Sequence, residues 1–185
     1  MSSQLRVDKI LPVDGTPTGG GGGIIQVVST AKTDIFSTTN GVSGSGYDPV
    51  TGQAATITPK FSTSKILVML QMSVGRSGNH RAYMRLGRTI AGGSLDNTIF
   101  IGDANGSNSR NTGSLYITST GMAPISSNFL DSPATTNAVT YQPAVCGNGA
   151  DNNVTIYVNR QANTSGSGVG DDTQTSSIVL MEISA

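Results

Sequence analysis

Lys65-Ile66-Leu67-Val68-Met69-Leu70-Gln71-Met72-Ser73-Val74 decides the fold. Ile66, Val68, Leu70, Met72 and Val74 recur at every second position, the period that puts side chains on one face of a strand. Leu67 and Met69 add apolar bulk to the other face at the N-terminal end. A strand apolar on both faces is covered twice, by a second sheet and by something further out. Two runs repeat its pattern. Arg81–Leu86 alternates, with Ala82, Met84 and Leu86 inward and Arg81, Tyr83 and Arg85 outward. Asn153–Arg160 places Val154, Ile156 and Val158 inward and Thr155, Tyr157 and Asn159 outward.

Working outward, Ile24–Val28, Ala54–Thr58 (ended by Pro59), Thr98–Ile101, Leu115–Thr118, Ile125–Leu130 and Ala138–Val145 read as further strands. Pro143 removes a ladder donor and so predicts an edge position for the last of these. Ile178–Ile183 closes the chain, again apolar on both faces at Val179-Leu180-Met181. Gly/Ser/Asn/Asp loops occupy 41–52, 102–113 and 161–174. Many short strands between polar turns, with hardly any helical period, predict an all-β, antiparallel two-sheet sandwich of jelly-roll type.

The 185 residues divide into three parts: an arm over 1–18, a glycine hinge over 19–23 and a sandwich body over 24–185. Gly19, Gly20, Gly21, Gly22 and Gly23 have no side chains to pack and are expected to form a flexible joint. In the arm, Leu5-Arg6-Val7-Asp8-Lys9-Ile10 alternates like a strand, followed by Leu11-Pro12-Val13-Asp14-Gly15. A short strand without a neighbour is not stable alone, so this segment is expected to pair with another chain.

Lys+Arg and Asp+Glu balance at 11 each, and charged residues make up only 12%. A neutral chain lacks the basic face that binds nucleic acid through counterion release, and self-association meets little charge repulsion. No run reaches the ~18 apolar residues of a membrane helix, and the first residues lack the apolar core of a signal peptide. Synthesis in a cytoplasm without membrane insertion is therefore expected. The single cysteine, Cys146, excludes an internal disulfide and reads as a small buried hydrophobe.

Candidate chemistry is sparse. The glycine run lacks the Gly-Lys-Ser/Thr and helix of a phosphate loop. His80 and Cys146, the sole histidine and cysteine, cannot assemble a zinc or facial-triad site within one chain. No serine stands on a nucleophile elbow. Asp103, Asp131, Asp151, Asp171 and Asp172 all stand in turn contexts that call for aspartate. Asp103-Ala104-Asn105 has the wrong spacing for a calcium loop. No enzyme, metal or cofactor is expected. Arg81, Tyr83 and Arg85, joined by Arg76 and Arg88, concentrate charge in a charge-poor chain. They form a subunit interface, a sugar- or lipopolysaccharide-facing patch, or a plain solvated face.

Leu5–Thr18 with the glycine run and Ile24-Ile25-Gln26-Val27-Val28 resembles a family of tailed-bacteriophage virion proteins, short tail fibres and related structural proteins. Ser62-Thr63-Ser64-Lys65-Ile66-Leu67-Val68-Met69 and Ile178-Val179-Leu180-Met181-Glu182-Ile183 look like the same family's body. The resemblance implies a virion location, a homotrimer and an N-terminal attachment segment in which Leu5, Val7, Ile10, Leu11 and Val13 would meet other virion proteins. It tips the reading toward a tail fibre, whose loops 41–52, 102–113 and 161–174 on the rigid body would carry the host contact, with a host-surface glycan as one candidate receptor. The alternative is a capsid decoration protein whose arm clamps the major capsid protein at local three-fold positions.

Overall fold

The computed structural model describes residues 23–39, 46–117, 121–147, 154–163 and 171–184. The arm, the first four hinge glycines and Asp151 lie outside the described residues. Among the described residues every regular element is a strand: β1 (Ile24–Lys32), β2 (Phe36–Thr38), β3 (Asp48–Pro49), β4 (Ala55–Ile57), β5 (Lys65–Arg76), β6 (His80–Ile90), β7 (Asp96–Phe100), β8 (Gly113–Ile117), β9 (Met122–Asp131), β10 (Val139–Gly147), β11 (Ile156–Val158) and β12 (Ser176–Ile183).

They form two antiparallel sheets. One runs β1-β12-β5-β11-β2, with β9 on the free flank of β5. The other runs β3-β10-β6-β7, with β4 also on β10 and β8 also on β6. Four pairings are nested in chain order: β1 with β12, β4 with β10, β5 with β9, and β6 with β8. Successive pairs alternate between the two sheets. One long hairpin folded over itself in this way is a jelly roll. The expected all-β two-sheet sandwich is the observed fold.

The period-2 pattern of β5 explains its central place. Ile66, Val68, Leu70, Met72 and Val74 are all buried, facing Met84, Leu86, Val139 and Tyr141 of the opposite sheet within one core cluster. Phe100 of β7 stacks on Phe129 of β9 across the layers, centroids 4.5 Å apart. A polar clamp also crosses the gap. Asp131, at the end of β9, receives Arg88 Nη1 of β6 on both carboxylate oxygens (2.9 and 2.7 Å) and the Tyr141 hydroxyl of β10 (2.6 Å).

Four expectations are corrected. β10 is not an edge strand: β6 lies on one flank, and β4 and β3 lie in succession on the other. Pro143 falls between the segments paired with β4 and β3, where its carbonyl accepts the Val50 amide at 2.9 Å. N and C=O of one strand residue point to the same side, so the donor missing from proline faces an already interrupted flank. Arg76 and Arg88 do not join the outer arginines. Arg76 is fully buried and donates from Nη1 to the Arg81 carbonyl at 2.6 Å, and Arg88 belongs to the clamp. Asn159 is not outward but completely buried. The short strand β3 pairs inside the expected 41–52 loop, and β2 pairs in a segment given no element from sequence.

Candidate functional site

The two sheets present unlike outer faces. On the sheet of β6, strand alternation sends Arg81, Tyr83 and Arg85 outward. Register brings Tyr116 opposite Arg81, Ser114 opposite Tyr83 and Cys146 on the other side of Tyr83. The Arg81 guanidinium carbon lies 6.0 Å from the centre of the exposed Tyr116 ring. That of Arg85 lies 4.2 Å from the Tyr47 ring centre, a close cation–π stack, and its Nε donates to the Arg110 carbonyl at 2.9 Å. The Tyr47 hydroxyl is bonded to Asn111 Oδ1.

These contacts give the 102–113 loop a definite course. β7 and β8 lie end to end along β6, at Leu86–Arg88 and His80–Met84, so the intervening residues leave the sheet and return. From one edge the excursion reaches Tyr47 beside β10 on the far flank, crossing the outer face above Arg85. Two of the polar loops named from sequence, 41–52 and 102–113, are thereby tied together over this arginine. Tyr47, Tyr116, Arg110 and Asn111 were not singled out from sequence. They reach the patch through loop geometry and register, which no local pattern announces.

Burial pushes the Tyr47 phenol well above its ordinary range, with the neighbouring Cys146 adding to it against the pull of Arg85. Burial likewise pushes the Cys146 thiol up to about 11, so the expected small buried hydrophobe is a neutral, unreactive thiol.

The outer face of the other sheet is nearly uncharged and, at one end, apolar. Register lines up Val27, Met181, Leu67 and Leu130 in one row across β1, β12, β5 and β9. The next row is Ser29, Val179, Met69 and Asn128, and the one after it Ala31, Ser177, Gln71 and Ser126. Val27 is 55%, Met69 40% and Leu130 48% exposed. Where the bulk of the first row gives way to serines, a depression of about 240 Å³ opens, lined by Met69, Gln71, Ser126, Asn128, Ser177 and Val179. Lys65, at the margin, is the only charged residue at these outward positions.

The aspartates named from sequence do not converge. Asp131 is held by Arg88 and Tyr141, Asp171 accepts from Gln161 at 3.3 Å, and Asp103 and Asp172 are exposed. Among the described residues no cluster of three His, Cys, Asp or Glu side chains is placed to hold a metal.

No family model and no curated protein matches the chain. Solved structures of infectious bursal disease virus are distant neighbours. The Gx strain aligns at 8% identity with a TM-score of 0.41, and the Gt strain at 10% with 0.42. Each alignment covers 99% of this chain and 46% of the viral one, so the chain spans less than half the length of those neighbours.

Proposed function

We propose that the chain is a non-enzymatic structural protein of a tailed-phage virion: a homotrimeric tail fibre fixed to the particle by residues 1–18 and attaching to the host through its loops. The observation that carries this reading is the division of labour between the two outer faces. A nearly uncharged apolar face suits packing within an assembly. The opposite face carries Arg81, Tyr83 and Tyr116 and two loops tied over Arg85. Arginine and tyrosine are the residues favoured where a protein meets a partner, and loops on a rigid sandwich are where recognition resides. The entry of the chain supports the anchoring role. Gly23 leads into β1, an edge strand of the apolar sheet, and its carbonyl accepts the Ser184 amide at 3.0 Å.

Gold-labelled antibody against the protein, viewed on intact particles by electron microscopy, tests the reading. Label at the tail tip or baseplate is expected. Label spread over the head would replace the fibre by a capsid decoration protein whose arm clamps capsid subunits. No label on any particle would overturn both. For the fibre, exchange of loops 41–52 and 102–113 with those of another phage is expected to change host-cell binding, and unchanged binding would remove the adhesin role.

A further inference from the structure

We infer that the outer face of the β1-β12-β5-β9 sheet is the surface on which copies of this chain pack together. The inference rests on the self-association in the preceding reading and names where that association occurs.

Alternation on a sandwich sheet ordinarily makes the outer positions polar. Here the outward positions of four adjacent strands carry Ile25, Val27, Leu67, Met69, Leu130, Val179, Met181 and Ile183 at one end. They give way to uncharged Ser29, Asn128, Gln71, Ser126 and Ser177 at the other, and hold one charge, Lys65, at the margin. Four strands at ~4.8 Å spacing and about eight residues at ~3.4 Å define a face of roughly 500 Å² before side-chain relief. Two such faces in contact bury about 1,000 Å², the threshold of a specific protein–protein interface. Nothing in the charge distribution opposes the meeting, since neither copy brings a carboxylate to this face and the net charge is zero.

Shape favours a second copy over an unrelated partner. The face holds both halves of a fit: a ridge formed by Val27, Met181, Leu67 and Leu130, and the 240 Å³ depression lined by Gln71, Ser126 and Ser177. They lie about 10 Å apart along the strands. The ridge of one copy therefore seats in the depression of the next. With the same face on both copies the contact is isologous and pairs two chains about a two-fold axis. A three-membered ring would instead use ridge and depression in separate contacts, each burying about half that area.

The test is the mass of the full-length protein in solution, by sedimentation velocity and light scattering across a concentration series. The parent is expected to be an oligomer. Met69→Asp places a carboxylate between ridge and depression and is expected to raise the dissociation constant at least tenfold. Val27→Ser, at an exposed edge-strand position, is the milder variant should the first fail to fold, and is expected to weaken association in the same direction. Tyr116→Ser, on the opposite sheet, is expected to leave the mass unchanged. A parent that is monomeric at every concentration overturns the inference. So does an oligomer indifferent to both variants, or one dissociated by Leu5→Asp in the arm and not by Met69→Asp. A dimer that Met69→Asp splits supports the interface and overturns only the three-fold reading, and particle labelling remains an independent check on the virion role.

Discussion

Asn159 shows how much one buried polar residue holds together. Its φ is +67°, in the left-handed region that asparagine tolerates better than most residues. The side-chain amide donates to the carbonyls of Lys32 and Asp34, both at 2.9 Å, while its oxygen accepts the Ser176 hydroxyl at 2.6 Å. Its own amide donates to the Ser73 carbonyl at 2.9 Å. Asn159, just past the end of β11, thus joins β1 and β12 through its side chain and β5 through its backbone amide. Asn159→Ala strands these groups without water and keeps the unfavourable φ, so chemical denaturation is expected to show a loss of about 3–5 kcal/mol. Asn159→Gly, free of the backbone penalty, should lose less, and equal losses would mean that the φ plays no part. Glu182 has a second, pH-dependent role. Burial would raise its pKa, but the Gln26 amide and backbone N–H groups including that of Lys60 (2.6 Å) outweigh burial and hold it below the ordinary carboxylate range. The folded state then binds fewer protons than the unfolded one around pH 4, so the stabilisation is present above about pH 4.3 and lost on acidification below it. Glu182→Gln is expected to be less stable at pH 7, with the gap to the parent closing as pH falls. A gap constant between pH 7 and pH 3 would contradict the assignment.

At the scale of elements, the strands most legible in the sequence are those whose pattern is local. The alternation in β5 predicted its five inward residues, and those of β6 and β11 predicted theirs, because period 2 follows from backbone geometry alone. The same period held a signal about the arginines: Arg76 is in phase with Met72 and Val74, and Arg88 with Met84 and Leu86, so both point inward as observed. What the pattern did not carry was who pairs with whom. β2 and β3 are too short to have a period, and the interior place of β10 depends on β3 and β4, nearly a hundred residues earlier. The outer patch was legible only at Arg81, Tyr83 and Arg85, since Tyr47 and Asn111 arrive by loop. Gly75 offers a sharp test of element packing. A Cβ there would stand 2.3 Å from the Arg160 carbonyl oxygen, and backbone cannot yield as a flexible side chain can. Gly75→Ala is expected to push the 160–161 segment, which follows β11, off β5 at a cost of about 1–3 kcal/mol, seen as faster amide exchange at the end of β11. Unchanged exchange there would show that the segment shifts without penalty. The 102–113 excursion is held differently, by Arg85 against Tyr47 and the Arg110 carbonyl. Arg85→Ala is expected to leave global stability within about 1 kcal/mol while cleavage by trypsin at Arg110 quickens several-fold. A cleavage rate equal to the parent's would mean that the loop is held by something other than Arg85.

For the whole molecule, the nested pairing places nearly all its apolar bulk in one core, yet leaves a second apolar surface on the outside. The two outer faces make opposite demands on the solvent, and this separates the routes by which copies could associate. Association through the Arg81, Tyr83 and Arg85 face would be partly electrostatic and would weaken as the Debye length shrinks from about 10 Å at 0.1 M salt to about 3 Å at 1 M. Association through the row of Val27, Met181, Leu67 and Leu130 involves no charge pair, so the same change in sodium chloride is expected to alter the dissociation constant less than about threefold. Sulfate, which is excluded from apolar surface, should tighten it. Calorimetry of dilution should show a negative heat capacity of association, the mark of apolar burial. A complex that falls apart in 1 M sodium chloride would move the contact to the arginine face. The apolar sheet would then remain open for a partner other than this chain.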